Sequence, residues 1–233
     1  MKLSLRIMSV ASAAVLLAAA GTANADIVTN GTFSTGTLSG WMFNGVVGTT
    51  PGIGLTVLNL SNTVAATPFG DIIPDAPGGA SHAVYFVDDN VSPTNPQVLS
   101  QSITLAANTT YDLTFDLWAT TSGSGNTGAD KMGGNFLLTD AVGTIASSSF
   151  GNAAQSGSST VPVGAWTPET LVFTTGSATS YTLDFDFSSG TTPSKDVVLT
   201  NIAINSVPEP GSFVLLGSGL LAAAGVIRRR ITA

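Results

Sequence analysis

Four groups of residues in this 233-residue chain have types and spacings that could do chemistry. In "YTLDFDF", Asp184 and Asp186 fall on one face of a strand, about 6.6 Å apart at ~3.3 Å per residue. That spacing suits the acid and base of a glycosidase. Hydrolysis also needs a cleft that raises one pKa, and the alternation reads the pair as a solvated strand face. In "TYDLTFDLWA", Asp112 and Asp116 stand about 13 Å apart, and Trp118 faces the same way. A ring beside carboxylates can stack on a sugar while the acids bind hydroxyls. The competing reading covers Trp118 with a loop, residues 122–134. Asp88-Asp89-Asn90 places three oxygen side chains at a strand end, either a weak calcium loop or a solvated turn. In "GGASHAVYF", Gly79, Ser81 and Ala83 approach a nucleophile elbow with His82 adjacent. An elbow runs strand, sharp turn, helix, whereas here a turn leads into a strand, so His82 reads as a strand residue near a loop. No catalytic residue is assigned.

Strands must position these groups. Tyr111, Leu113, Phe115 and Leu117 alternate with polar residues, as do Tyr181, Leu183, Phe185 and Phe187. This is the pattern of an antiparallel sheet with one face on a core. Further strands are predicted over 27–33, 53–60, 82–87, 98–105, 135–139, 171–174 and 197–205. Asp140-Ala141-Val142-Gly143 reads as a hairpin connection. The stretches 120–134 and 147–164 read as long Gly/Ser/Asn-rich loops. Trp41 and Trp166 read as core. The expected fold is all-β, one antiparallel sandwich, jelly roll or barrel of eight to ten strands.

Both ends look like processing segments. Lys2 and Arg6, an apolar run over 7–20, and Ala23-Asn24-Ala25 are the three parts of a secretory signal peptide, with cleavage by signal peptidase expected before Asp26. At the other end, Pro208-Glu209-Pro210 precedes an uncharged run over 213–227 and then Arg228, Arg229 and Arg230. Fifteen helical residues reach ~22 Å against a hydrocarbon core of ~30 Å, a short span that flanking residues extend. The arginines hold that end on the cytoplasmic side, and the prolines keep the preceding stretch extended. The expected organisation is a signal peptide over 1–25, a β-sandwich over 26–206 and a sorting tail over 207–233. The body keeps thirteen acidic residues against Lys131 and Lys195, a net −11, which excludes nucleic-acid binding. With no cysteine in the chain, disulfides, thiolate nucleophiles and thiolate metal sites are excluded.

The tail resembles the PEP-CTERM sorting signal of Gram-negative bacteria. That resemblance implies recognition of Pro208, Glu209 and Pro210 by a membrane-embedded exosortase, transient anchoring in the inner membrane, and a final place at the cell surface or in an exopolysaccharide or biofilm matrix. The body resembles galactose-binding-like jelly rolls, the family of many carbohydrate-binding modules. The resemblance rests on Asn30-Gly31, Phe33, Gly36 and Gly40-Trp41, with "LSQSITLAANTTYDLTFDLWA", "WTPETLVFTT" and "DVVLTNIAI" following in order. It implies carbohydrate binding without catalysis, which competes with a structural, glycosylated coat protein and, less favoured, a polysaccharide hydrolase. Family members often hold structural calcium on acidic residues where this chain has Thr32, Ser34, Thr200 and Asn201, and neutral oxygens bind Ca²⁺ more weakly.

Overall fold

The computed structural model describes residues 27–44, 55–60, 72–86, 97–120, 133–151, 159–160, 162, 164–187, 196–207, 217 and 219. Eleven strands are described: β1 (Met42–Asn44), β2 (Leu55–Asn59), β3 (His82–Phe86), β4 (Gln97–Thr104), β5 (Thr110–Ala119), β6 (Gly133–Thr139), β7 (Thr144–Gly151), β8 (Ser159–Thr160), β9 (Trp166–Thr174), β10 (Ser180–Phe187) and β11 (Val197–Ser206). They form a six-stranded sheet, β1-β4-β10-β6-β7-β8, and a five-stranded sheet, β2-β3-β11-β5-β9. Every pairing is antiparallel except the short β7–β8 contact.

The period-two pattern explains the layering. Leu113, Phe115 and Leu117 of β5 and Leu183, Phe185 and Phe187 of β10 all enter one core between the sheets. Phe115 meets Phe185 edge-on at 5.1 Å between ring centroids, a favoured aromatic geometry. The β6–β7 turn is built by Asp140, whose Oδ1 accepts from the amides of Val142 and Gly143 at 2.8 and 3.0 Å.

Residues 27–33 do not form the expected strand. Asn30 and Phe33 have positive φ, and the segment turns repeatedly before β1. The buried Gln101 clips it down: its Oε1 accepts from Thr29 N, and its Nε2 donates to Thr29 O and Gly40 O. Gly31 allows a close approach, because a Cβ there would lie 2.0 Å from Ile202 O. Ile202 N donates to Gly31 O across that contact. β7 takes in Ser147–Gly151, part of a stretch read from sequence as loop, and β9 begins five residues earlier than expected.

Candidate functional site

Each sheet has an inner face on the core and an outer face, and the two outer faces differ. On the five-stranded sheet a second apolar cluster joins Leu58, Ala83, Tyr85, Trp118 and Val198 to Ile73, Ala76 and Ala80 of a strap over residues 72–80. The strap is pinned by Trp166 Nε1, which donates to Pro74 O at 3.0 Å, and by Asn201 Nδ2, which donates to Pro77 O at 2.6 Å.

This arrangement corrects the expected Trp118 site. Trp118 does face outward, but the strap leaves it only 6% exposed, with its ring 5.5 Å from that of Trp166. Its indole Nε1 is buried without a hydrogen-bond partner. A ring enclosed this way cannot stack on a sugar; residues 72–80 cover it, and 121–132, most of the loop expected there, lie outside the described residues. Trp166 likewise packs on this outer cluster, half-buried, not in the main core. Asp116 is buried and accepts from Asn201 Nδ2 at 2.6 Å. Burial raises its pKa, and the Asn201 hydrogen bond partly offsets the rise. Asp112 is half-buried, four residues earlier on the same face of β5.

The outer face of the six-stranded sheet is polar among the described residues. Asp184 and Asp186 sit there on β10, flanked in register by Ser100 and Val98 of β4 and by Leu137 and Asn135 of β6. Ser147 and Ser149 of β7 extend the face opposite Leu137 and Asn135. A depression of about 390 Å³ is lined by Asn135, Leu137, Ser147, Ser148 and Ser149. The carboxylates are not freely solvated, contrary to the sequence reading. Both are half-buried, and Asp186 Oδ1 is buried without a partner. Burial raises the pKa of Asp184. Burial raises that of Asp186, and repulsion from Asp184 adds to it. The face offers strong acceptors in two aspartates, donors and acceptors in Asn135 and the serines, and an apolar patch in Leu137.

The sequence reading assigned Asn135, Ser147 and Ser149 no role. The signal for them was indirect: the Asp140–Gly143 hairpin demands a returning strand, and Ser147 and Ser149 alternate along it. His82 opens β3, and Ser81 and His82 do meet, with Ser81 Oγ 3.0 Å from His82 Nδ1, because Ser81 precedes the strand. The chain runs from a 3-10 turn, Pro77–Gly79, into a strand, so no elbow is formed. Asp88, Asp89 and Asn90, the signal peptide, and Pro208, Glu209, Pro210 and Arg228 to Arg230 lie outside the described residues. Among the described residues no three His, Asp or Glu side chains are grouped to hold a metal, and no helix is long and apolar enough to cross a membrane. Asn201 turns its amide donor toward Asp116, and Thr200 Oγ1 donates to His82 O.

Two stacked antiparallel sheets with this order define an all-β jelly-roll sandwich. Two solved structures with TM-scores above 0.5 share the fold. TmCBM61, determined with β-1,4-galactotriose, is 15% identical with a TM-score of 0.51, over 79% of this chain and 100% of that one. The Stig cyclase Fisc from Fischerella sp. TAU, determined with an indole ligand, is 17% identical with a TM-score of 0.55, over 78% and 97%. The enzymatically active domain of tailspike protein 4 from bacteriophage CBA120 is 16% identical with a TM-score of 0.45; 78% of this chain matches 21% of that one. None of the curated proteins matches the sequence. Residues 206–230 match the PEP-CTERM protein-sorting motif, so the chain is a jelly-roll protein bearing that sorting signal.

Proposed function

We propose that this is an exported, non-catalytic protein that binds an uncharged polysaccharide on the outer face of its six-stranded sheet. The observation that carries the reading is the half-buried Asp184–Asp186 pair beside the Asn135–Ser149 depression. Partly desolvated carboxylates form stronger hydrogen bonds to hydroxyl groups than fully hydrated ones. Two carboxylates at two-residue spacing meet successive hydroxyls, and they repel uronate-rich glycans. In this reading signal peptidase removes residues 1–25, the tail anchors the protein in the inner membrane, and exosortase acts at Pro208-Glu209-Pro210. The sandwich then resides at the cell surface or in the exopolysaccharide matrix.

A hydrolase is the second reading, favoured by the raised pKa of both acids. Its geometry is weaker. Asp184 and Asp186 stand side by side on one strand and point the same way, whereas glycosidase carboxyls flank the scissile bond. Both are also shifted upward, whereas an acid and a base need environments that push them apart.

The test is titration of the 26–206 domain with the host's exopolysaccharide, in wild type, Asp184→Asn, Asp186→Asn and Trp118→Phe, with reducing ends assayed in parallel. A hydrogen bond to a charged group contributes about 1.5–3 kcal/mol, so each aspartate variant should weaken binding roughly 10- to 100-fold. Trp118→Phe should leave it unchanged. Loss of affinity in Trp118→Phe alone would move the site to the five-stranded sheet. Release of reducing ends, abolished in Asp186→Asn, would establish the hydrolase. No binding by wild type would favour a structural coat.

A further inference from the structure

The last strand leaves the sandwich at one particular end, and that end is unlike its opposite. Val207 N donates to Thr110 O at 2.8 Å, so the chain is held to the first residue of β5 immediately before the sorting motif. Three turns share this end. They are the β4–β5 turn at 105–109, the β6–β7 turn at 140–143 and the β9–β10 turn at 175–179. The first and last are locked together. Leu105 N donates to Thr179 O and Asn108 N to Gly176 O, while Thr175 Oγ1 donates to Ala106 O and accepts from Thr109 N.

Asp140 is the one charged residue in these three turns, and its carboxylate is folded back onto the Val142 and Gly143 amides. Val142 itself is 94% exposed at the hairpin tip. The strand ends flanking 45–54, 87–96, 121–132, 152–158 and 188–195 all lie at the opposite end, and those stretches contain Asp88, Asp89, Asp130, Lys131 and Lys195. The three described turns beside the tail thus carry a single charged residue in a protein of such acidity.

We infer that this end, with Val142, Ser177 and Asn108 outermost, is the surface that rests against the lipid bilayer while the tail is anchored. The inference rests on the proposed membrane-anchored intermediate. From Val207 to the start of the apolar run at Phe213 is six residue steps, at most about 20 Å of chain. β11 alone is ten residues, about 30 Å. A tether shorter than the domain holds the tail-bearing end at the headgroups and the opposite end away from them. Turns that carry one carboxylate, held by the Val142 and Gly143 amides, meet anionic headgroups with limited repulsion, and an exposed valine suits the interface. The glycan face then stands on the flank, parallel to the membrane normal.

The absence of cysteine makes the test direct. Val142→Cys, Ser177→Cys and Ala165→Cys each introduce one thiol at an exposed position, and Ala165 lies at the far end, since Gly164 N donates to Ala119 O. The full chain carrying each fluorophore-labelled cysteine is reconstituted into phosphatidylethanolamine–phosphatidylglycerol vesicles, floated, and exposed to headgroup spin-labelled lipid. Labels at 142 and 177 should lose most of their emission and the label at 165 little. Equal quenching at both ends, or greater quenching at 165, in protein that floats would overturn the orientation and leave the anchor standing. Protein that fails to float would remove both the anchor and the orientation.

Discussion

Replacing Asp186 with Asn should make the protein more stable at neutral pH while weakening its proposed binding. The two β10 carboxylates are two residues apart on one face, about 6.6 Å between Cα atoms. At that separation unit charges repel by roughly 2.5 kcal/mol at an effective dielectric constant of 20 and about 0.6 kcal/mol in bulk water. Both side chains are half-exposed, so a value near the lower end, about 1 kcal/mol, is appropriate. For a domain of this size that corresponds to a rise in Tm of roughly 2–4 °C. The pH dependence follows from the upward shift of both groups. A carboxyl with a folded pKa above its unfolded value binds more protons when folded. Its contribution to stability is therefore greatest below the ordinary value of 3.8 and is lost as pH rises through the folded pKa. Asp186→Asn should flatten the decline of Tm across the interval above 3.8, and its advantage over wild type should vanish in more acidic solution. Calorimetric melts at pH 7 and pH 3 decide it. A lower Tm at pH 7 would mean that Asp186 has a stabilising partner and that the desolvation argument is wrong.

Trp118→Phe should change stability by less than about 1 kcal/mol, because removing a buried, unpartnered indole N–H offsets the lost volume. Trp118→Ala should destabilise by about 3–5 kcal/mol in urea unfolding, without altering glycan affinity under conditions where the variant is folded. Gly31→Ala forces a methyl group to 2.0 Å from Ile202 O and should lower stability by at least about 1–3 kcal/mol, read as an earlier urea midpoint. Asn201→Asp exchanges the donor to the buried Asp116 for a second carboxylate; its urea midpoint should fall at pH 7 and recover as the pH drops toward 3.8. EDTA should leave Tm unchanged; a Ca²⁺-dependent rise abolished by Asp88→Asn would instead assign a structural ion to Asp88, Asp89 and Asn90.

The strands were legible where alternation was long. Thr110–Ala119 carries five inward side chains and Ser180–Phe187 four, enough to fix both their conformation and the face they bury. β7 was hidden because Ser147, Ser148 and Ser149 give no hydropathy contrast, although the register with β6 makes them a strand. Residues 27–33 looked extended because nothing local announces that Gln101, some seventy residues away, satisfies the backbone groups of Thr29. Trp118 shows the same limit at the site. Its outward direction was readable from parity alone. Whether a segment lies over it depended on Ile73, Ala76 and Ala80, apolar residues in a proline- and glycine-rich stretch with no periodicity.

That cover also decides which face of the sandwich is available. A jelly roll has two outer faces, and a ligand needs one of them exposed. The strap seals the part of the five-stranded sheet around Trp118 with apolar contacts and pins itself through Trp166 and Asn201. Its acid there, Asp116, is occupied by an internal amide. The six-stranded sheet has the reverse arrangement: among the described residues its outward acids meet no cation, one oxygen of Asp186 is left unsatisfied, and the neighbouring strands supply hydroxyls and an amide. Burying carboxylates without partners opposes folding. Nothing in the packing of β10 requires acids at those two outward positions, since the inward Leu183, Phe185 and Phe187 already hold the strand on the core. Threonine, as at Thr182 on the same face, would satisfy the strand at lower electrostatic cost. In the proposed function, a ligand at the polar depression beside these two aspartates supplies the hydrogen bonds they lack.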